Sequence, residues 1–161
     1  MRKYLFALLL VANVALAQQK FTCIDPNRIL SESQVVKAKE AQLRLKVEDY
    51  QKQLDQINKK LEDLKKQIES KAISQSVREQ KIKEYQKVEA EGMELQQKAQ
   101  KELLEIKGKI EQEIIDRVKA IGEDIAKRQG FNGILDCSAF VYISPEIDIT
   151  KEVIQRLDSE K

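Results

Sequence analysis

Residues 33–70 have the sequence SQVVKAKEAQLRLKVEDYQKQLDQINKKLEDLKKQIES. Apolar or aromatic side chains recur here every seven residues, and a second series follows four residues after the first. This spacing is typical of the a/d seam of a coiled coil, in which one narrow apolar stripe faces a partner helix. The stretch therefore predicts a helix from about Ser33 to Ser70 that is not stable alone. The two series are Val36, Leu43, Tyr50, Ile57 and Leu64, then Val47, Leu54, Leu61 and Ile68.

A second helix is predicted to run from Ser76 to the residue before Gly130. Glu79 stands three residues after Ser76, which is the spacing of a capping box, and Gly130 suits a left-handed C-terminal cap. The apolar stripe of this helix recurs about every 3.6 residues, which fits an unstrained helix better than a strict heptad does. The stripe consists of Ile82, Tyr85, Val88, Gly92, Leu95, Ala99, Leu103, Ile106, Ile110, Ile114, Val118, Ile121 and Ile125.

A turn at residues 71–75 would fold the two helices into an antiparallel hairpin. The predicted register aligns the two stripes along their whole length and places Ile57 beside Val88. At about 1.5 Å per residue, the arm would project roughly 55 Å. The second helix then continues past the start of the first, from Glu111 to Gln129, so this part must pack on something else.

The two ends of the chain are predicted to build one small body. Residues 21–24 indicate a short strand before an Asp-Pro break, and residues 133–137 and 139–143 indicate two more strands. Thr150 is suited to cap a final amphipathic helix. The residues expected to form the body are Phe21, Ile24, Ile134, Leu135, Phe140, Val141 and Tyr142.

The predicted fold class is mainly α with a small β body. The helical-hairpin arm spans residues 36–110, and the β-rich trimerisation body combines residues 18–35 with residues 111–161. Three short strands and one helix offer little apolar area to support such an arm, and a body of this size usually needs a staple or a partner chain. Oligomerisation is expected to supply the missing contacts.

The N-terminus has the layout of a cleaved secretory signal. Arg2 and Lys3 precede an apolar run from Tyr4 to Ala17, which ends in the small-residue pattern Ala-Leu-Ala. A retained membrane anchor is the alternative, but a bilayer span takes about 20 apolar residues and this run has fourteen. Cleavage after residue 17 predicts a periplasmic chain with at most peripheral contact with a membrane.

The mature chain is formally neutral, because removal of residues 1–17 leaves 27 basic and 27 acidic residues. A neutral balance argues against nucleic-acid binding, which draws affinity from many contacts between Lys or Arg and phosphate. The charge is nevertheless unevenly spread. Residues 37–90 contain 14 basic and 10 acidic residues, whereas residues 130–161 contain 3 basic and 6 acidic ones.

The two cysteines, Cys23 and Cys137, lie near opposite ends of the chain and form no CxxC motif. An oxidising compartment permits a disulfide between them, and the alternative is two separate buried thiols. The chain contains no histidine, so a zinc site would lack its usual set of four ligands. No metal and no cofactor are predicted.

No catalytic site is predicted either. Asp25 and Asp136 each lie at a strand end beside a turn, where Asp commonly binds backbone amides. No histidine, nucleophile elbow or glycine-rich phosphate loop accompanies them in the sequence. The sequence therefore predicts a protein that is not an enzyme.

Two segments of the predicted body resemble the Skp/OmpH family of periplasmic chaperones. Residues 21–30, FTCIDPNRIL, are similar to the start of mature family members. Residues 130–142, GFNGILDCSAFVY, follow the family's pattern of a Gly-aromatic pair, an aliphatic-Asp pair, Ser-Ala and an aliphatic-Tyr pair. Residues 148–150 and 153–154 are also placed as in the family, so the resemblance covers the whole mature chain.

The resemblance implies a homotrimer whose strands unite in a small barrel-like body and whose three arms enclose a cavity. Such a protein is a holdase that binds unfolded outer-membrane proteins without ATP and prevents their aggregation. The chain departs from the family in two respects. Some members are strongly basic and are linked to lipopolysaccharide, whereas this mature chain is neutral, and Cys23 and Cys137 stand where other residues are expected.

The candidate client-binding surface is the distal part of the arm. Clients of this kind expose alternating apolar residues that need weak, multiple contacts. The alternative is that most of these side chains pack the two helices together, because a/d positions normally form the seam. Ile73, at the turn, is expected to be the exception. The surface comprises Ile57, Leu61, Leu64, Ile68, Ile73, Val77, Ile82 and Tyr85.

The distal arm also carries an excess of lysine. A run of charges on a helical hairpin is usually a solvated face, but the imbalance along this molecule favours a role in steering acidic clients. The steering group consists of Lys59, Lys60, Lys65, Lys66, Lys81, Lys83 and Lys87.

Two further classes of protein share the helical arms. A structural coiled-coil protein of the envelope, without chaperone activity, would not bind unfolded chains. A prefoldin of the archaeal type places its strands between its two helices, whereas the turn at residues 71–75 carries no strand signal. The holdase is the preferred hypothesis, and the envelope scaffold is the alternative to it.

Overall fold

The structure is a computed structural model that describes residues 19–159. In chain order its elements are β1 (Phe21–Ile24), α1 (Pro26–Glu32), α2 (Gln34–Glu69), α3 (Gln75–Gln129), β2 (Gly133–Asp136) and α4 (Thr150–Ser159). Two short 3-10 turns, Cys137–Ala139 and Pro145–Ile147, lie between β2 and α4. Helices α2 and α3 form the long hairpin, which confirms the predicted fold class.

The ends of the two long helices are set by capping residues. Ser33 precedes α2, and its hydroxyl accepts a hydrogen bond from the Val36 amide. Helix α3 ends at Gly130, which adopts the left-handed conformation at φ 72° as predicted. The predicted start of α3 was wrong by two residues. Its cap is Ser74, which accepts from the amide of Val77.

The predicted capping box at Ser76 is wrong, because Ser76 lies inside α3, which begins at Gln75. The Glu79 carboxylate accepts a hydrogen bond from the side chain of Gln75, four residues earlier on the same helix face. Glu79 therefore supports the first turn of α3 from inside the helix. The hydroxyl of Ser74 accepts from the Val77 amide, which is one of the free amides in the first turn.

Helix α1 was not predicted, although its sequence signal is clear in retrospect. The Asp25-Pro26 pair was interpreted as a break, yet proline at the first position of a helix supplies a suitable backbone angle. The Asp25 carboxylate accepts from the amides of Asn27 and Arg28 and caps the helix. The same two residues thus end β1 and start α1.

Strands β1 and β2 pair in parallel, with Phe21 opposite Gly133 and Ile24 opposite Asp136. The connection between them is the entire helical hairpin. At the other edge of β1, the Ile149 amide donates to the Cys23 carbonyl at 3.0 Å. Segments near the two ends of the described chain are therefore joined side by side.

The third predicted strand, residues 139–143, is wrong. A 3-10 turn follows β2, because the Asp136 carboxylate accepts from the Ser138 amide and turns the chain away from the strand direction. Among the described residues, no neighbouring strand lies ready to pair with this segment. Val141 and Tyr142 are 109% and 80% exposed, so they add nothing to the core of the single chain.

The core lies in the body, where the end of α3 packs on α4 and on the sheet. Gly122 lets the sheet approach closely, because a Cβ at this position would lie 3.0 Å from Ile134 Cδ1. The part of α3 that extends beyond the arm therefore packs on α4 and on the sheet. The buried members of this core are Ile24, Ile29, Val36, Ile114, Ile121, Ile125, Ile149, Val153, Ile154 and Leu157.

The body is more helical than the predicted β-rich unit, since it contains α1, α4 and the end of α3 beside two four-residue strands. Of the residues expected to form it, Ile24 is buried and Ile134 packs against the core. Phe140 is half-buried, whereas Phe21 and Leu135 are 42% and 43% exposed. Phe21 and Leu135, like Val141 and Tyr142, therefore remain open to solvent in the single chain.

Within residues 19–159, no helix combines the length and the apolar character needed to cross a bilayer. The predicted signal segment, residues 1–17, lies outside the described residues.

Candidate functional site on the helical arm

The seam between α2 and α3 holds the arm together. Tyr50 and Leu64 from α2, with Val88 and Ala99 from α3, are buried in it. The predicted register was displaced by about one helical turn. Ile57 was placed beside Val88, but in the structure its Cγ2 would lie 3.1 Å from a Cβ on residue 92.

The displacement has a physical cause at the tip of the arm. The Arg78 guanidinium donates to the carbonyl of Ile68 at 2.8 Å and to that of Ser70 at 3.1 Å. These carbonyls have no partner within α2, because they belong to its last turn. The first turn of α3 therefore contacts the end of α2 and closes the tip. As a result, the seam begins further along α3 than it would if the turn used equal lengths of both helices.

A polar contact ties the two helices near the middle of the arm. The Tyr50 hydroxyl donates to Oε2 of Glu102, and Lys46 Nζ lies 3.1 Å from Oε1 of the same carboxylate. The hydrogen bond with Glu102 raises the pKa of Tyr50. The bonds from Tyr50 and then Lys46 lower the pKa of Glu102. Glu102 was not predicted. Because a tyrosine on the seam needs a hydrogen-bond partner for its hydroxyl, a polar residue on the facing part of α3 could have been expected.

The eight predicted client-binding residues fall into three environments. Leu64 is only 3% exposed and packs in the seam, as the alternative interpretation holds. Val77 and Ile82 are 40% and 39% exposed. The remaining five are half-buried: Ile57, Leu61, Ile68, Ile73 and Tyr85. Ile73 is thus more covered than its place at the turn predicted.

Four of the half-buried residues line two shallow grooves beside the seam: Ile57, Leu61, Ile68 and Tyr85. One groove, of about 370 Å³, contains Ile68, Ile82 and Tyr85 together with Lys65. The other, of about 290 Å³, contains residues from both helices, including Ile57, Leu61 and Met93. The structure therefore brings apolar side chains from α2 and α3 together in partly open positions along the distal arm. Met93 was not among the predicted residues.

The seven predicted steering lysines are not equivalent. Lys60 and Lys81 both lie near Glu84, at 3.6 and 3.3 Å, and the hydrogen bond from Lys81 lowers the pKa of Glu84. Lys87 lies 3.9 Å from Glu91. The other four have no ion-pair partner within residues 19–159, and they keep their positive charge toward solvent: Lys59, Lys65, Lys66 and Lys83.

A disulfide joins Cys23 of β1 to Cys137 at the end of β2, with 4.9 Å between the two Cα atoms. Asp148 lies close to both sulfurs, but its carboxylate is already engaged. It accepts from the Thr150 amide at 2.9 Å and pairs with Arg28 at 3.1 Å. The three residues thus form a structural junction, because the bonded sulfurs offer no thiolate to a metal.

The geometry defines a class of protein with a two-helix arm on a small mixed body. Residues 20–157 match the family model described as outer membrane protein (OmpH-like). An uncharacterized protein of Aquifex aeolicus is 37% identical over 158 residues, which are 98% of this chain and 97% of that one. The chain belongs to the OmpH-like family, which confirms the resemblance found in its two body segments.

A solved structure supports the fold. It is of a protein from Caulobacter crescentus CB15 that is described as an outer membrane chaperone (OmpH-like). The two folds superpose with a TM-score of 0.78 over 89% of this chain and 86% of that one, at 23% sequence identity. At this level of identity the likeness concerns the fold alone.

Proposed function

We propose that this chain is an ATP-independent periplasmic holdase chaperone that binds unfolded outer-membrane proteins between its helical arms and prevents their aggregation. The observation that carries the proposal is the row of partly open apolar side chains on the distal arm, from Ile57 to Tyr85. Membership of the OmpH-like family supports it, as does the description of the Caulobacter protein as a chaperone.

The physical need for such a protein follows from its clients. A strand of an outer-membrane barrel alternates apolar and polar side chains, so that an unfolded client in water has an unpaired apolar face and free strand edges. Shallow grooves suit such a client better than a deep pocket does. Each groove gives a weak contact, and many weak contacts together hold the chain without fixing one conformation.

The positive field of the arm would assist capture. Four exposed lysines of the distal arm have no ion-pair partner among residues 19–159, and one of them, Lys65, lines a groove: Lys59, Lys65, Lys66 and Lys83. An acidic client would be drawn toward this region at long range, and added salt would screen the attraction. The contribution is expected mainly in the association rate rather than in the final affinity.

The body is proposed to form a homotrimer. Phe21, Leu135, Val141 and Tyr142 are all substantially exposed, and the outer edge of β2 has no strand beside it within the described residues. Copies of this chain that pair at this edge would cover these side chains and satisfy the free backbone groups. Three arms arranged around such a body would enclose the client.

The proposal is tested by diluting a urea-unfolded outer-membrane barrel protein into buffer with and without the mature protein, while light scattering is recorded. We expect suppressed scattering without ATP, and a soluble complex whose mass corresponds to three chains and one client. If the protein is folded, as judged by its helical signal, and scattering is still unchanged for several barrel clients, the proposal is contradicted. That result would favour the structural envelope scaffold instead.

A further inference from the structure

The segment that joins β2 to α4 carries Val141 and Tyr142, which are the two most exposed large apolar side chains among residues 19–159. Within the same described range, no hydrogen bond or ion pair joins residues 138–146 to the rest of the body. Residues 138–146 are called the assembly loop below. Its conformation therefore depends largely on how its two ends are held.

Both ends of the assembly loop are attached to β1. At the first end, Cys137 is joined to Cys23 by the disulfide. At the other end, the hydroxyl of Thr22 donates to the Ile147 carbonyl at 2.6 Å, and the Cys23 carbonyl accepts from the amide of Ile149 at 3.0 Å. The assembly loop is thus closed into a ring on two neighbouring residues of one strand.

The points of attachment lie in a well-covered part of the body. Thr22 and Cys23 are both 0% exposed, and Cys137 is 7% exposed. Strand β2 ends at Asp136, so the disulfide holds the chain just beyond the last backbone pair of a two-stranded sheet. The end of so short a sheet frays readily when nothing else holds it. Loss of the disulfide would therefore open the ring at its first end.

We propose that the Cys23–Cys137 disulfide pre-organises the assembly loop for contact with a second copy of this chain, and so stabilises the trimer as well as the folded chain. This inference rests on the proposed homotrimer. A flexible loop loses conformational freedom when a partner orders it, and a covalent closure removes part of that loss in advance. The disulfide acts by positioning the loop, since its two sulfurs are buried within their own chain.

The test measures assembly separately from folding. Cys23→Ala with Cys137→Ala opens the ring at one end, and Thr22→Val weakens the other end by replacing the hydroxyl with a methyl group. Ile121→Ala is the matched control, because it truncates a buried core side chain of α3 at a cost in stability similar to the loss of a disulfide. Each complete mature protein is diluted, and sedimentation velocity gives the concentration at which half of the trimer has dissociated.

We expect the trimers of the disulfide variant and of Thr22→Val to dissociate at concentrations at least tenfold higher than the wild-type trimer does. Ordering one freed backbone residue again on assembly weakens association by about this factor. The midpoint of Ile121→Ala is expected within twofold of the wild type, because its truncated side chain lies away from the assembly loop in the core. Circular dichroism at the same concentrations checks that the dissociated chains keep their helices.

A disulfide variant that is folded and dissociates as the wild type does would overturn the inference and leave the trimer standing. An equal shift in Ile121→Ala would also overturn it, since a general loss of stability would then explain the effect. If the disulfide variant does not fold, Thr22→Val decides by the same criteria. A wild type that stays monomeric at every concentration would remove the trimer and this inference together.

Discussion

Two glycines within α3 show how one residue type serves opposite environments. A Cβ on Gly92 would approach Ile57 Cγ2 to 3.1 Å, so the absence of a side chain lets the two helices come close. Gly108 has open space where a Cβ would be, since nothing lies within 4 Å. The first glycine is explained by packing, whereas nothing in the packing requires the second.

The two positions predict different responses to alanine. Gly108→Ala is expected to raise the free energy of unfolding by up to about 1 kcal/mol, because alanine has the higher helix propensity. The free energy of unfolding of Gly92→Ala is expected to rise less than that of Gly108→Ala, or to fall, because Ile57 must shift to make room for the added methyl group. Urea unfolding followed by circular dichroism at a fixed protein concentration compares them. Equal stabilisation by both variants would contradict the close approach at Gly92.

A pH dependence is expected from Glu102. Its pKa is lowered in the folded chain by the hydrogen bonds from Tyr50 and then Lys46, so the folded state binds fewer protons than the unfolded state in acid. The stabilisation is present above the ordinary glutamate pKa of about 4.3 and is lost as the pH falls through the lowered folded value. Glu102→Gln should therefore reduce the loss of stability between pH 6 and pH 3. An unchanged acid profile in this variant would argue against the contact.

At the scale of elements, the disulfide and the parallel sheet work together. Strand β1 is joined to β2 by backbone hydrogen bonds and by Cys23–Cys137, across a sequence separation of 114 residues. A cross-link over a loop of this length is worth about 4–5 kcal/mol in the chain-entropy model. It supplies part of the stability that two four-residue strands cannot provide.

Removal of the disulfide should therefore affect the body more than the arm. Cys23→Ala with Cys137→Ala is expected to lower the free energy of unfolding by about 3–5 kcal/mol. The helical signal in the absence of denaturant should persist, because the seam of the arm does not involve either residue. Urea titration at equal protein concentration, with and without a reductant on the wild type, provides the comparison. A midpoint that is unchanged by reduction would contradict this role.

The tip of the arm gives a second prediction at this scale. Arg78→Ala removes both donors to the carbonyls of Ile68 and Ser70, and the last turn of α2 should fray. Amide hydrogen exchange near residues 66–74 is expected to accelerate, while exchange in the body stays the same. Arg44→Ala, on an exposed side chain of α2, is the matched control. Equal protection at the tip in both variants would show that the guanidinium is dispensable there.

The elements differ in how far the sequence determined them. The long helices followed from periodicity and capping, because their apolar stripes repeat over many turns. The register of the hairpin did not follow, since a long arginine at residue 78 makes the turn asymmetric. The strand expected at residues 139–143 failed for a different reason. Its backbone lacks a partner within one chain, and β propensity alone cannot supply one.

The candidate site was predictable in outline only. Alternation of apolar and charged residues located the distal arm, but could not separate seam residues such as Leu64 from open ones such as Ile82. That distinction depends on the relative rotation of the two helices. Met93 was missed altogether, because it lies between Gly92 and Leu95 of the predicted stripe and is not part of that repeat.

At the scale of the whole molecule, the exposed residues that follow β2 and its 3-10 turn predict assembly. Val141→Asp with Tyr142→Asp changes side chains that are 109% and 80% exposed in the single chain. The folding of an isolated chain should be little affected, whereas a trimer that buries these residues should dissociate at micromolar concentration. Sedimentation velocity distinguishes the two cases. A variant that sediments as the wild type does would show that the trimer interface lies elsewhere.

Helix α3 runs without interruption for 55 residues, from the tip of the arm into the core of the body. Mechanically, the arm is a cantilever about 55 Å long, and the continuation of α3 is clamped in the body where Ile121 and Ile125 are buried. A beam clamped at one end has no joint, so in the proposed trimer any widening between arms would come from elastic bending of the paired helices. The restoring force would grow with the bend, and under the proposed holdase function larger clients are therefore expected to be held under greater tension and released more readily.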